Sequence, residues 1–270
     1  MATILAISSQ VARGSIGLSA IVPALQTLGH SVLALPTILL SNHPGYAHVS
    51  GQRTDAAVLK RMIEALDANG WLGEIDTILS GYLPSPEHVG LVAETVARVR
   101  RVRPDCRYLC DPVLGDDPKG LYIDQAAAAD LRKLLVPIAD TLTPNRFELE
   151  WLSGVAVTSP RSAIIAARSL SAPEVIATSI AATDHSLLTL QVAKANGVFC
   201  RVQRRVSAPN GTGDLLSGLI AGGFSLGRAV AAVDAVLSAS LGFSELKLSQ
   251  SRDAWLAATP ITETNIDDVD

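Results

Sequence analysis

The sequence predicts an α/β fold, a mostly parallel central sheet covered by helices on both faces. Two observations carry this. Short apolar, β-branched runs alternate with stretches of helical period through most of the chain. The 270 residues are 48% hydrophobic, enough to bury two helix–sheet interfaces.

The elements follow in order. Residues 3–8 form a short apolar run that reads as a buried strand. Residues 17–29 carry Leu18, Ile21, Val22, Leu25 and Leu28 at helical spacing, with Gly29 where a C-terminal cap belongs. Residues 31–35 read as a strand, 54–69 as a helix closed by Gly70, and 75–80 as a strand ended by Gly81. An amphipathic helix over 86–103 stops at Pro104, and the strand 108–110 runs straight into Asp111-Pro112. Then come a helix over 125–136, a short strand at 141–142, a short helix at 146–152, a helix at 162–170 and a strand at 175–178. Residues 187–192 and 198–203 pattern as a hairpin turning at Asn196-Gly197. Helices at about 212–224 and 228–243 close the fold. There is no internal repeat and no Gly/Ser/Pro-rich linker. One domain over 1–258 is expected, followed by a loose, polar, acidic tail over 259–270.

Composition excludes some partners. The net charge is −4, against the basic patch that nucleic-acid binding normally needs. No apolar stretch approaches a membrane span and the N-terminal residues do not pattern as a secretion signal, so no membrane partner and a cytoplasmic setting are expected. Cys106, Cys110 and Cys200 are odd in number and lack ligand spacing, which predicts reduced, buried thiols.

In open parallel sheets, ligands bind beyond the carboxyl ends of the strands. The polar residues there are Ser8-Ser9-Gln10, Ser41-Asn42-His43, Ser80-Gly81-Tyr82, Asp111, Asp116, Thr143-Pro144-Asn145 with Glu148, Thr178-Ser179, and 210–214. Three stretches stand out. In GTGD, 211–214, small residues let backbone N–H groups approach an oxyanion at a helix start, and Asp214 could accept a proton; plain helix capping explains the same residues. DPVLGDD, 111–117, bunches acids in a Pro/Gly loop, as a Mg²⁺–phosphate site needs; the alternative is a solvated acidic turn. TPNRFELE, 143–150, puts Asn145 and Glu148 three apart at a helix start, where a capping box is the alternative. His43 and His48 are too far apart in turn-rich sequence to be claimed as metal ligands. P-loop, dinucleotide and nucleophile-elbow motifs are absent. The pattern fits phosphoryl transfer without a Walker lysine.

These residues resemble pyridoxal kinases of the ribokinase-like superfamily, the dimeric vitamin B6 salvage type. The resemblance rests on SNHPGYAHVSGQ at 41–52, SGYL at 80–83, CDPVLGD at 110–116, LTPNRFELEWLSG at 142–154 and GTGDLLSG at 211–218. It implies an α/β/α sandwich, a homodimer, and ATP-dependent phosphorylation of the 5′-hydroxymethyl group of pyridoxal, pyridoxine or pyridoxamine. By matching position, Asp214 would be the general base, and Gly211, Thr212 and Gly213 the anion hole. Asp116 and Glu148 would place Mg²⁺, partly through water. Asp111 and Thr143 would lie near the phosphates and a monovalent cation, K⁺ or Na⁺. Asn145, Thr178 and Ser179 would contact ATP phosphates, with Asp111 and Glu148 on the same side. Ser9, His43, Pro44 and Tyr82 would face the vitamer. Related kinases of the thiamin pathway often carry Cys where Asp214 stands. The resemblance also has departures: Pro44 replaces a Thr that would contact substrate, Leu18 follows Gly17 where Asn is usual, Gln10 replaces a common His, and the chain is short between Leu188 and Pro209. Two rival readings stay open: a kinase for another hydroxymethyl heterocycle or a sugar, and a non-catalytic vitamer carrier.

Pro44 has neither a side-chain donor nor an N–H. Pro44→Thr should therefore lower the KM for pyridoxal by at most about tenfold, the value of one neutral hydrogen bond, and leave the KM for ATP alone. Initial rates against each substrate check this; an unchanged or raised pyridoxal KM would make Pro44 either a structural turn residue or part of a pocket shaped for another ring.

Overall fold

The computed structural model describes residues 1–205 and 208–269. The chain runs β1 (Thr3–Val11), α1 (Leu18–Thr27), β2 (Ser31–Leu40), β3 (Gly51–Arg53), α2 (Ala56–Ala68), β4 (Thr77–Ser80), α3 (Pro86–Val102) and β5 (Arg107–Cys110). It continues with β6 (Gly115–Asp116), β7 (Gly120–Leu121), α4 (Gln125–Asp130), β8 (Thr141–Leu142), α5 (Arg146–Ser153), α6 (Pro160–Ser169) and β9 (Glu174–Ala181). The last elements are β10 (Leu187–Ala193), β11 (Gly197–Val202), α7 (Thr212–Ala221), α8 (Leu226–Ala239), α9 (Arg252–Leu256) and β12 (Thr264–Asn265). One ten-stranded sheet has the order β12-β11-β10-β9-β8-β5-β4-β1-β2-β3. Its centre, β9 through β2, is parallel; antiparallel pairings add β3 at one edge and β10, β11 and β12 at the other. No helix is long and apolar enough to cross a membrane among the described residues.

The alternation of β1 builds two cores. Ile4 and Ala6 pack with Ile21 and Leu25 of α1, Leu215 and Leu219 of α7, Val236 of α8 and Trp255 of α9. Leu5 and Ile7 face the opposite layer, with Leu59 and Ile63 of α2, Val92 and Val96 of α3, Ala127 of α4, Leu149 of α5 and Ala163 of α6. Burial on both faces is why the central strands read as continuous apolar runs.

At the end where the parallel strands begin, acids are partnered. Asp76 Oδ2 accepts from the Thr3 N–H at 2.8 Å, and Asp76 also pairs with Arg103. Asp140 Oδ2 accepts from the Tyr108 N–H and from Arg100, both at 2.7 Å. Glu174 accepts from Thr141 Oγ1 at 3.0 Å and Gln191 Nε2 at 2.6 Å.

Several elements depart from the sequence expectation. β2 continues to Leu40, and its pairing with β1 shifts register past Pro36, which pairs with Ser8 while Ile38 pairs with Ser9. Pro36 has no N–H to extend the ladder, so a bulge follows it. The helix expected over 125–136 ends at Asp130, followed by a π turn over Leu131–Leu135 and a 3₁₀ turn at Val136–Ile138. Pro137 cannot donate and crowds the preceding turn, which opens out. β3, the β6–β7 hairpin, α9 and β12 had no periodic signal, being mostly too short to show one.

The tail expected to be loose is docked. Thr264 and Asn265 pair antiparallel with Phe199 and Val198 of β11, and Glu263 accepts from the Gly227 N–H at 2.8 Å. Ile266 and Val269 are only 3% and 4% exposed. Its polar composition hid a few apolar anchors that cap the sheet edge. The cysteines are free and buried, and burial pushes the Cys110 thiol up to about 12. Ile266→Ala should cost roughly 2–5 kcal/mol of unfolding free energy, the usual cost of emptying a buried site. Urea denaturation measures it; a loose tail would give no change.

Candidate active site

The sheet ladder continues one residue past the strand ends and sets the site. The Gly81 N–H donates to the Ile7 carbonyl at 2.9 Å, Asp111 to Ser80 at 2.8 Å, Thr143 to Cys110 at 3.1 Å, and Thr178 to Pro144 at 2.9 Å. Residues one strand spacing apart, about 4.8 Å, thus form a row along the rim. Asp111 and Thr143 are its polar members at the centre.

α7 enters this rim end-on. Gly211 is its N-cap at φ 101°, and a Cβ there would lie 1.9 Å from the Ser15 carbonyl oxygen, so only glycine fits. No side chain caps α7, and among the described residues the N–H groups of Thr212 and Gly213 have no acceptor. A Cβ at Gly213 would meet nothing within 4 Å: the helix start faces open space. The far end of α7 is held by His30, whose Nδ1 accepts from the Ala2 N–H at 3.1 Å while Nε2–H donates to the Gly222 carbonyl at 3.0 Å. Across the site, Gly17 starts α1 at φ 57°, ψ −134°, with a Cβ position 2.1 Å from the Ser9 carbonyl oxygen.

Among the described residues, Asp111, Asp116, Glu148 and Asp214 form no ion pair. Burial raises the Asp214 carboxyl to about 6, opposed by the N–H groups of Gly17 and of Asp214 itself. Burial, then the neighbouring Asp214 charge, raises Asp111 to about 7. Glu148 is held well above the usual carboxylate range by burial and by Asp111. Its carboxylate accepts from the N–H groups of Leu114 at 3.0 Å, Gly115 at 3.5 Å and Asn145 at 2.8 Å. The Glu148 N–H donates back to Asn145 Oδ1 at 2.9 Å, completing a capping box on α5. Asn145 Nδ2 donates to the Gly115 carbonyl at 2.8 Å. The capping alternative is thus realised, and the same contacts tie the β6–β7 hairpin to α5. Arg146 reinforces the tie through Asp117.

Two buried atoms here have no hydrogen-bond partner among the described residues: Asp116 Oδ1 and Thr143 Oγ1. Buried polar atoms are nearly always paired, so both mark places for a ligand. Among the described residues, no three His, Cys, Asp or Glu side chains form a ready metal cage. Mg²⁺ needs none, since it takes one or two carboxylates and shares phosphate oxygens and water. The donors present fit it.

The remaining expected residues surround this centre. His43 Nδ1 accepts from the Gly45 N–H at 3.0 Å and lies 3.5 Å from Asn210 Nδ2, bridging the 41–52 loop to the GTGD turn. Pro44 beside it is exposed. Tyr82 is half-buried, with its N–H donating to Ser8 Oγ at 3.1 Å; burial raises its phenol and Arg53 lowers it. Ser9 is half-buried beneath Gly17. Thr178 bridges to Asn145, and Ser179 next to it has φ 62°, a left-handed conformation that non-glycine residues rarely adopt. Leu18, expected to alter the ring pocket, is 2% exposed and belongs to the core under α7. That departure concerns packing. Tyr122, beside Asp116, and Lys119 at the hairpin tip carried no motif signal; their hairpin exists only through its tertiary anchors.

Comparison with known proteins agrees with this geometry. The family model described as phosphomethylpyrimidine kinase matches residues 14–244. The pyridoxal kinase PdxY of Corynebacterium diphtheriae is 35% identical over 225 residues, covering 81% of this chain and 80% of that protein. The pyridoxine/pyridoxal/pyridoxamine kinase of Bordetella avium is 37% identical over 265 residues, covering 93% and 90%. The structure of pyridoxal kinase from Leishmania donovani in complex with ADP and pyridoxamine superposes with a TM-score of 0.91, at 30% identity, covering 97% of this chain and 99% of that one. The chain belongs to the pyridoxal kinase family. In this family member the unpartnered Asp116 oxygen and the engaged Glu148 carboxylate call for different outcomes. Asp116→Asn should raise the Mg²⁺ concentration for half-maximal rate by about tenfold without changing the melting temperature. Glu148→Gln puts an amide donor against backbone N–H groups and should cost roughly 1–3 kcal/mol of stability. Mg²⁺ titrations and thermal melts of both variants check this.

Proposed function

We propose that this pyridoxal kinase family member transfers the γ-phosphoryl group of ATP to the 5′-hydroxymethyl oxygen of pyridoxal, pyridoxine or pyridoxamine. The observation that carries the reading is one carboxyl, Asp214, raised to about 6 by burial and set in the first turn of a helix whose Thr212 and Gly213 N–H groups have no acceptor among the described residues. A base with a pKa somewhat below working pH is mostly ionised and still accepts a proton well. The relatives' names and the bound ADP and pyridoxamine of the Leishmania enzyme support the same chemistry.

In this reading Asp214 takes the hydroxyl proton as the oxygen bonds to the γ-phosphorus. The bond from that phosphorus to the β–γ bridging oxygen breaks, and ADP leaves with the electron pair. The N–H groups of Thr212 and Gly213, with that of Gly211, hold the equatorial oxygens, aided by the positive end of α7. Asp116, and Glu148 partly through water, would hold Mg²⁺, which would offset charge on the β- and γ-phosphates. Thr143 Oγ1 and Asp111 would supply oxygens for a monovalent cation, K⁺ or Na⁺. Asn145, Thr178 and Ser179 line the nucleotide side; Ser9, His43, Pro44 and Tyr82 line the vitamer side. The reading includes one domain and a homodimer, the latter supported by an apolar groove of Leu33, Met62, Leu66 and Trp71 between β2 and α2. Buried free thiols support a cytoplasmic setting.

Purified protein with Mg·ATP and each vitamer should form the 5′-phosphate. Asp214→Asn should lower turnover by about a hundredfold or more, the usual scale for loss of a general base. The base works ionised, so kcat/KM should rise with pH through about 6 and then level. Asp214→Asn should lose that limb. A folded Asp214→Asn protein with near-normal turnover would remove Asp214 from the role.

A further inference from the structure

We propose that Lys119, at the tip of the β6–β7 hairpin, is a further catalytic residue whose ammonium group binds the γ-phosphoryl oxygens of ATP. The proposal rests on the phosphoryl-transfer reading above.

Charge makes the first argument. Asp111, Asp116, Glu148 and Asp214 surround the space in front of α7, and among the described residues none of them forms an ion pair. A triphosphate entering this space adds more negative charge. Two neighbouring arginines are committed elsewhere, and Arg53 lies on the vitamer side, beside Tyr82. Arg146 is bound to Asp117, Glu150 and the Val157 carbonyl, and Arg13 is bound to Glu245. Lys119 is exposed and has no ion-pair partner among the described residues.

Placement makes the second. The base of the hairpin is clamped: Glu148 accepts from the Leu114 and Gly115 N–H groups, and Asn145 donates to the Gly115 carbonyl. Asp116 pairs with Gly120 across the hairpin, so Lys119 belongs to its turn. That turn comes near His43, whose imidazole pKa is lowered first by burial and then by the Lys119 charge, with Asp116 opposing. His43 in turn lies 3.5 Å from Asn210, the residue before the anion hole. Lys119, His43, Asn210 and Gly211 thus follow one another across the mouth of the site. A lysine there has a flexible four-carbon stem and acts as a point charge on phosphate. As the bond to the bridging oxygen breaks, charge on the equatorial oxygens meets both the N–H groups and the ammonium.

The test separates the γ-phosphate from the rest of the nucleotide. Lys119→Ala and Lys119→Arg are compared with wild type by calorimetric titration with Mg·AMP-PNP and Mg·ADP, and by steady-state rates with pyridoxal. Lys119→Ala should weaken AMP-PNP by about tenfold, the scale of one charge-assisted contact, and leave ADP within about twofold. Its kcat should fall by about a hundredfold with pyridoxal KM unchanged. Lys119→Arg should recover most of both losses. Melting temperatures should match, because the side chain is exposed. Equal weakening of the two nucleotides, no weakening of either, or an unchanged kcat overturns the proposal. If wild type phosphorylates no B6 vitamer, the substrate reading fails, and the AMP-PNP/ADP split still decides for or against Lys119. Wild type binding neither nucleotide overturns both.

Discussion

Carboxylates buried without cations govern this site. Asp111, Glu148 and Asp214 are driven together at the rim because β5, the α5 cap and the α7 cap all end there. Burial raises all three, and Asp111 feels Asp214 as well. An acid whose folded pKa lies above its unfolded value stabilises the fold below that unfolded value. The advantage is lost as pH rises through the folded pKa. Between the ordinary carboxylate range and about 7, the ligand-free chain therefore loses stability through Asp111 and Asp214. A cation bound beside them would reverse that cost and so link ligand binding to folding stability through the same side chains.

The two ends of the sheet make the point by contrast. Where the parallel strands begin, Asp76 and Asp140 each hold a backbone N–H and an arginine, and Glu174 holds a threonine and a glutamine. Those acids brace strand register. Where the strands end, Asp116 Oδ1 and Thr143 Oγ1 have no hydrogen-bond partner among the described residues. The same residue type serves structure at one end and is left available for ligands at the other. Glu148 stands between the two roles: it caps α5, anchors the β6–β7 hairpin, and still presents a buried carboxylate to the site.

Much of this was legible before any coordinates. The strand–helix alternation placed the central elements because burial on both faces gives unbroken apolar strands. The GTGD, DPVLGDD and TPNRFELE stretches stood out because glycines, acids and caps are local requirements. The substrate side was harder. Ser9, Tyr82 and His43 are set by a bulge after Pro36, by Ser8 under the Tyr82 N–H, and by an Asn210 contact 167 residues away in sequence. Leu18 appeared to belong to the ring pocket by position beside Gly17, yet its side chain turns into the core under α7.

By itself, the sequence determined the layered α/β class, the glycine-flanked helix start and the acid at its first turn. Each is written in a short span of residues whose backbone and charge allow little else. Gly211 is an instance: its place in the motif is local, although the reason no other residue fits is the distant Ser15 carbonyl. Only the tertiary structure decided which acids would be left without partners, that the tail would close the sheet edge, and that Lys119 would stand near His43. Those outcomes depend on long-range pairing and on where charges end up relative to water, which no local pattern of side chains encodes.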